Sequence, residues 1–152
     1  MNCISPRSGY DARVSHKSAR IASLVESLQG RDLDARYLGY FDCFNQQQFY
    51  EAHEVLEDLW LEVRFKPDGD FYKALIQLAG AFVHIQKKRF GPASALFHLA
   101  QGYLAKYPVP HHRLDAGTVR QLIAEWQADL KRSPDEILAN NSGRLPRLCL
   151  MD

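Results

Sequence analysis

His53, Glu57 and Trp60 follow one another at spacings of four and three residues in the segment Phe49-Tyr50-Glu51-Ala52-His53-Glu54-Val55-Leu56-Glu57-Asp58-Leu59-Trp60. At about 100° per residue of a helix they fall within about 60° of arc, on the border of the apolar stripe Ala52, Val55, Leu56, Leu59 and Val63. An imidazole and a carboxylate at i and i+4 can both reach one ion, but a stable ion site needs at least a third ligand. The natural supplementary donors are His84 and Gln77. They lie two turns apart on one stripe of a later apolar segment, with the small Ala81 between them. The expected metal set is therefore His53, Glu57 and His84, with Gln77 and Trp60 as ligand-binding neighbours. Nitrogen and oxygen donors of this kind suit a divalent transition metal such as zinc, manganese, iron or nickel better than calcium. If a reaction ran there it would be metal-dependent hydrolysis, with Glu57 or a bound water as proton acceptor.

The same residues have a purely architectural reading. Glu57 and Gln77 would orient a buried His53 through hydrogen bonds, because buried polar groups must be satisfied, and Trp60 would be core packing. His53-Glu54-Val55-Leu56-Glu57 is not a zinc-protease helix, since Glu57 stands where that motif requires histidine. Glu54 points about 100° away from His53 and is expected on a solvent face with Glu51 and Asp58. His98 reads as a surface or boundary residue. His111-His112 follows a proline turn and is expected in solvent rather than on a metal.

Helices must carry these groups. Ile21, Leu24, Val25 and Leu28 keep helical spacing from Lys17 to Gln29, with Gly30 as a C-cap, after a loose arm at residues 1–15. Further helices are expected at about Asp34–Phe44, Phe49–Arg64, Phe71–Lys88, Pro92–Lys106 and Asp115–Lys131. Ser133-Pro134-Asp135-Glu136 has the form of an N-cap opening a short helix, before an extended tail from Arg144 to Leu148. Phe71–Lys88 is apolar nearly all round from Ala74 to Ile85, as befits a central helix. A shift of 41 positions superimposes Phe49 on Phe90, Ala52 on Ala93, Leu56 on Phe97 and Pro67 on Pro108, a weak repeat suggestive of two helical hairpins shaped like tetratricopeptide units. No alternating strand pattern appears. The fold class is all-α, a single bundle of about six helices over residues 16–152.

The 152 residues suffice for one core without a disulfide or metal staple. With 19 lysines and arginines against 18 acidic residues, the net charge of +1 gives no electrostatic case for nucleic acid or an anionic membrane as partner. Cys3, Cys43 and Cys149 lack the spacing of a zinc ribbon or a redox pair and read as free thiols in a reducing compartment, Cys43 buried and inert. No signal-like or membrane-spanning run is seen, so a cytoplasmic location is expected.

His53-x-x-x-Glu57-x-x-Trp60, followed by Ala74-Leu75-Ile76-Gln77-Leu78-Ala79-Gly80-Ala81 and by Gly91-Pro92-Ala93, resembles the prokaryotic family named domain of unknown function 309, over about residues 37–107. The resemblance implies a small helical bundle of unassigned activity whose His-x-x-x-Glu-x-x-Trp/Tyr signature has been proposed to bind metal. Two functions follow. One is a metal- or small-ligand-binding domain. The other is a non-enzymatic helical-hairpin module that binds a protein partner or a second copy of itself, with the polar cluster serving only the packing.

Overall fold

A computed structural model of the chain describes residues 10–132 and 145–152. Six α-helices run through them: α1 (Tyr10–Val25), α2 (Ala35–Asn45), α3 (Phe49–Val63), α4 (Gly69–Gln86), α5 (Phe90–Leu104) and α6 (Ala116–Arg132). The class is all-α, with no strand among the described residues and only an isolated bridge between His111 and Leu114. Among the described residues, no helix is long and apolar enough to cross a membrane.

Each helix packs chiefly on its neighbours in sequence, α2 on α3, α3 on α4, α4 on α5 and α5 on α6, while α1 lies against α2 and α3. Phe82 of the central α4 shows why they cohere. Its ring meets Phe44 of α2, Phe49 of α3, Phe97 of α5 and Trp126 of α6, at centroid distances of 5.6, 5.0, 5.3 and 5.0 Å. Burying one such aromatic stabilises the fold by about 1.5–3 kcal/mol. Tyr40, fully buried beside it, gives its hydroxyl to the Leu75 carbonyl at 2.7 Å and so carries no unmet polar atom into the core.

The first helix begins at Tyr10, earlier than the expected Lys17, and ends at Val25 before a single 3-10 turn, Glu26–Leu28. Gly30 then takes a left-handed φ of 81°, as its expected capping role requires. Residues 1–9 of the expected arm, and the short helix expected to open at Ser133, lie outside the described residues. The described tail is irregular but anchored. Asn45 donates to the Leu148 carbonyl at 2.7 Å and accepts from the Leu148 amide at 2.8 Å, and Leu148 is buried.

The 41-residue shift has a physical basis in the backbone. In the α2–α3 turn, Gln47 adopts φ 65°, its amide donates to Phe44, and the Gln48 amide donates to Cys43. In the α4–α5 turn, Lys88 adopts φ 58°, its amide donates to Ile85, and the Arg89 amide donates to His84. Both are Schellman caps, closed by a left-handed residue and a six-to-one hydrogen bond. The matched positions Ala52 and Ala93, and Leu56 and Phe97, are all fully buried.

One expectation is corrected. Glu54 is buried, not on a solvent face, because α1 lies over that side of α3 and brings Arg20 into an ion pair with it. Asp58 is likewise engaged, by Arg36 at 2.9 Å.

Candidate functional site

The middle of α3 carries the motif. His53 Nε2 lies 3.1 Å from Glu57 Oε2, one helical turn on, and both side chains are about one-third exposed, at 32% and 30%. Lys17 of α1 approaches the other Glu57 oxygen at 3.4 Å. Trp60, the next turn along, is half-buried and packs on the main core. Gln77 and His84 lie half-buried on α4. The hydrogen bonds of His53 and Glu57 thus run to each other and to Lys17, rather than to Gln77 or His84.

Polar atoms on these two helices are nevertheless left over. Among the described residues, the buried side-chain atoms without a hydrogen-bond partner are His53 Nδ1, Glu54 Oε1, Gln77 Oε1 and His84 Nδ1. All four belong to α3 or α4, and three belong to residues that spacing alone had singled out. A fold rarely leaves such atoms unmet without reason.

Beside the motif, Arg36 at the start of α2 is held by three carboxylates, Asp34, Asp58 and Glu62, at 3.0, 2.9 and 2.9 Å. Burial would raise the Asp34 carboxyl, but its hydrogen bonds to Arg36 outweigh that and hold it below its ordinary value. The Glu62 carboxyl is held down chiefly by its hydrogen bond to the same guanidinium. A surface cavity of about 660 Å³ opens here, lined among others by Val25, Asp32, Arg36, Asp58 and Glu62. Its guanidinium is already committed to packing α2 against α3.

A second polar cluster forms where the α3–α4 turn meets the α5–α6 loop. Asp68 Oδ1 is 2.8 Å from His111 Nε2, and Asp68 Oδ2 is 2.8 Å from His112 Nε2. Asp68 precedes α4 at the N-cap position, where an aspartate ordinarily accepts from the amides of the first turn, yet its side chain makes no such bond. Instead the Phe71 amide donates to the Tyr107 hydroxyl at 3.0 Å, and that hydroxyl donates to the Pro67 carbonyl at 2.7 Å. Tyr107 does the capping, which frees both Asp68 oxygens for the histidines. Burial works to raise the Asp68 carboxyl, but the hydrogen bonds from His112 and His111 prevail and hold it below its ordinary value.

Consecutive histidines converge on one carboxylate because of the turn they occupy. His112 and Arg113 both have left-handed φ, 45° and 59°, while His111 and Leu114 exchange amide–carbonyl bonds of 3.0 and 2.9 Å. This is a two-residue hairpin turn of the primed kind, usually built with Asn-Gly, here built with side chains that strain it. The turn is fixed from three sides. Tyr37 donates to the His112 carbonyl at 2.8 Å, the Met151 amide donates to the Arg113 carbonyl at 2.7 Å, and Arg113 pairs with Asp32. Phe71 and Tyr107 flank the His111 ring at 4.8 and 5.0 Å, and Tyr72 stacks on His112 at 6.0 Å.

The expectation of solvated histidines is therefore replaced. The His111 and His112 side chains are only 21% and 30% exposed, and each is hydrogen-bonded to Asp68. Among the described residues, these three are the group of His, Cys, Asp or Glu whose ligand atoms all lie within 4.8 Å of one another. His98 is exposed, as expected. Cys43 is buried, and burial pushes its thiol up to about 11, with Glu51 and Asp42 adding to the shift.

Residues 37–96 match the family model described as Domain of unknown function (DUF309). That stretch runs from α2 through the motif helix and α4 into the first half of α5. The chain matches no curated protein and no solved structure.

Proposed function

We propose that the domain binds a small, hydrogen-bond-donating ligand through residues of α3 and α4, namely His53, Glu57, Trp60, Gln77 and His84. The observation that supports this reading is the set of unmet buried atoms, His53 Nδ1, Gln77 Oε1 and His84 Nδ1, on the two helices of the family motif. With the His53 proton on Nε2, facing the Glu57 carboxylate, Nδ1 presents a lone pair. Gln77 Oε1 is also an acceptor, so the complement is a ligand bearing hydroxyl or amine donors. Trp60, half-buried one turn further on, supplies apolar surface to such a ligand, and Lys17 balances the Glu57 charge. A hydrogen-bonded ligand suits the motif better than an ion, because the Glu57 carboxylate is already shared between His53 and Lys17.

Native mass spectrometry of untagged protein, with elemental analysis in parallel, tests the reading. The parent should carry a small organic mass that disappears in His53→Ala and Gln77→Leu while circular dichroism stays helical. A ligand-free parent whose Gln77→Leu variant is destabilised would overturn it in favour of a structural hydrogen-bond network.

A further inference from the structure

We propose that Asp68, His111 and His112 form a binding site for one divalent transition metal ion, with two imidazole nitrogens and one carboxylate oxygen as ligands. The site lies at the opposite end of the motif helix's hairpin from the α2–α3 turn and does not depend on the α3–α4 ligand proposed above.

Three independent features converge on it. The ligand atoms are already gathered, all within 4.8 Å of one another, so an ion at about 2.0–2.2 Å from each needs only small side-chain rotations. The gathering is built, since Tyr107 takes over the capping of α4 and a strained His112-Arg113 turn aims two successive rings at one carboxylate. The rings are pre-organised by Phe71, Tyr72 and Tyr107, yet all three ligands stay partly exposed, at 21%, 30% and 36%, which leaves a path for the ion.

Two imidazoles and a carboxylate are the donor set of zinc, cobalt or non-haem iron, and too poor in oxygen for calcium or magnesium. Such a set leaves coordination positions for water or a ligand. Binding requires each Nε2 to surrender its hydrogen bond to Asp68, its proton passing to Nδ1 or to solvent.

Cobalt(II) titration of the untagged protein, read by visible absorption and competed with zinc, tests the assignment. The parent should saturate near one equivalent. His112→Gln and Asp68→Asn, which keep hydrogen-bonding capacity, should weaken binding beyond the ~10–100-fold expected for loss of a mere outer-shell partner. His98→Ala, at an exposed histidine, should bind as the parent does. X-ray absorption on the cobalt-loaded parent should count two imidazoles, a readout that needs no variant to fold. Absence of saturable binding, parent-like affinity in His112→Gln, or a spectrum without two imidazoles would overturn the site. Loss of binding in His53→Ala alone would move the ion to α3 and overturn it equally.

Discussion

Gln47 and Lys88 hold equivalent places in two turns of one design, each the left-handed residue that closes a Schellman cap, 41 positions apart. Neither is glycine, so each carries the cost of a side chain in a backbone region that disfavours it.

Lys88 is exposed, which makes it the cleaner place to measure that cost. Lys88→Gly should raise stability by about 0.5–1 kcal/mol, the relief of left-handed strain exceeding the extra flexibility of the unfolded chain. Urea denaturation would show it as a higher midpoint at unchanged slope. A lower midpoint would mean that Lys88 makes a stabilising contribution beyond its backbone.

Glu54 is buried against Arg20, so removing the arginine strands a charge. Arg20→Ala should cost about 1–3 kcal/mol, and the double variant Arg20→Ala/Glu54→Leu should recover most of that loss, because an apolar group then fills the desolvated position. Chemical denaturation of both variants decides the matter. If the double variant is no more stable than the single one, burial of the Glu54 charge is not the source of the cost.

The Arg36 network predicts a signed pH dependence. Folded-state carboxyls of Asp34 and Glu62 are held below their ordinary values of 3.8 and 4.5. A depressed carboxyl stabilises the fold above its ordinary value, and that contribution fades as pH falls through the lowered one. The stability difference between the parent and Arg36→Met should therefore be largest above about pH 5 and shrink below about pH 4. A difference independent of pH would assign the effect to packing of the arginine stem.

Asn45 exchanges two hydrogen bonds with the backbone of Leu148. Asn45→Ala should leave α2 intact and expose the tail, with loss of about 1–2 kcal/mol and faster hydrogen exchange at the Leu148 amide. Unchanged protection there would mean that the buried Leu148 side chain alone holds the tail.

Much of this architecture was legible residue by residue. The spacing of Ala52, Leu56 and Leu59 gave α3, and the near-continuous apolar run from Ala74 to Ile85 marked α4 as central. The match of Phe49 with Phe90 hinted at related hairpins, but the shared Schellman turns before them are visible only in the backbone. His53 and Glu57 are paired because i and i+4 on one helix must be neighbours. Glu54 was misplaced because periodicity describes a lone helix and is blind to a second helix laid over its polar face. Asp68, His111 and His112 were hidden for two reasons. They are brought together across more than forty residues, and the turn that joins them uses left-handed His112 and Arg113 where sequence patterns look for Asn-Gly. Two adjacent histidines after a Pro-Val-Pro turn, and an aspartate at a helix start, were the available signals.

The anchored tail bears on how the chain comes together in time. Helices α2 to α5 pair with immediate neighbours, contacts that close short loops and form fast, whereas the Asn45–Leu148 clasp spans 103 residues of sequence and joins what is already standing. Because the Met151 amide also seats the Arg113 carbonyl, the turn that aims His111 and His112 is completed only by a segment synthesised well after the turn itself.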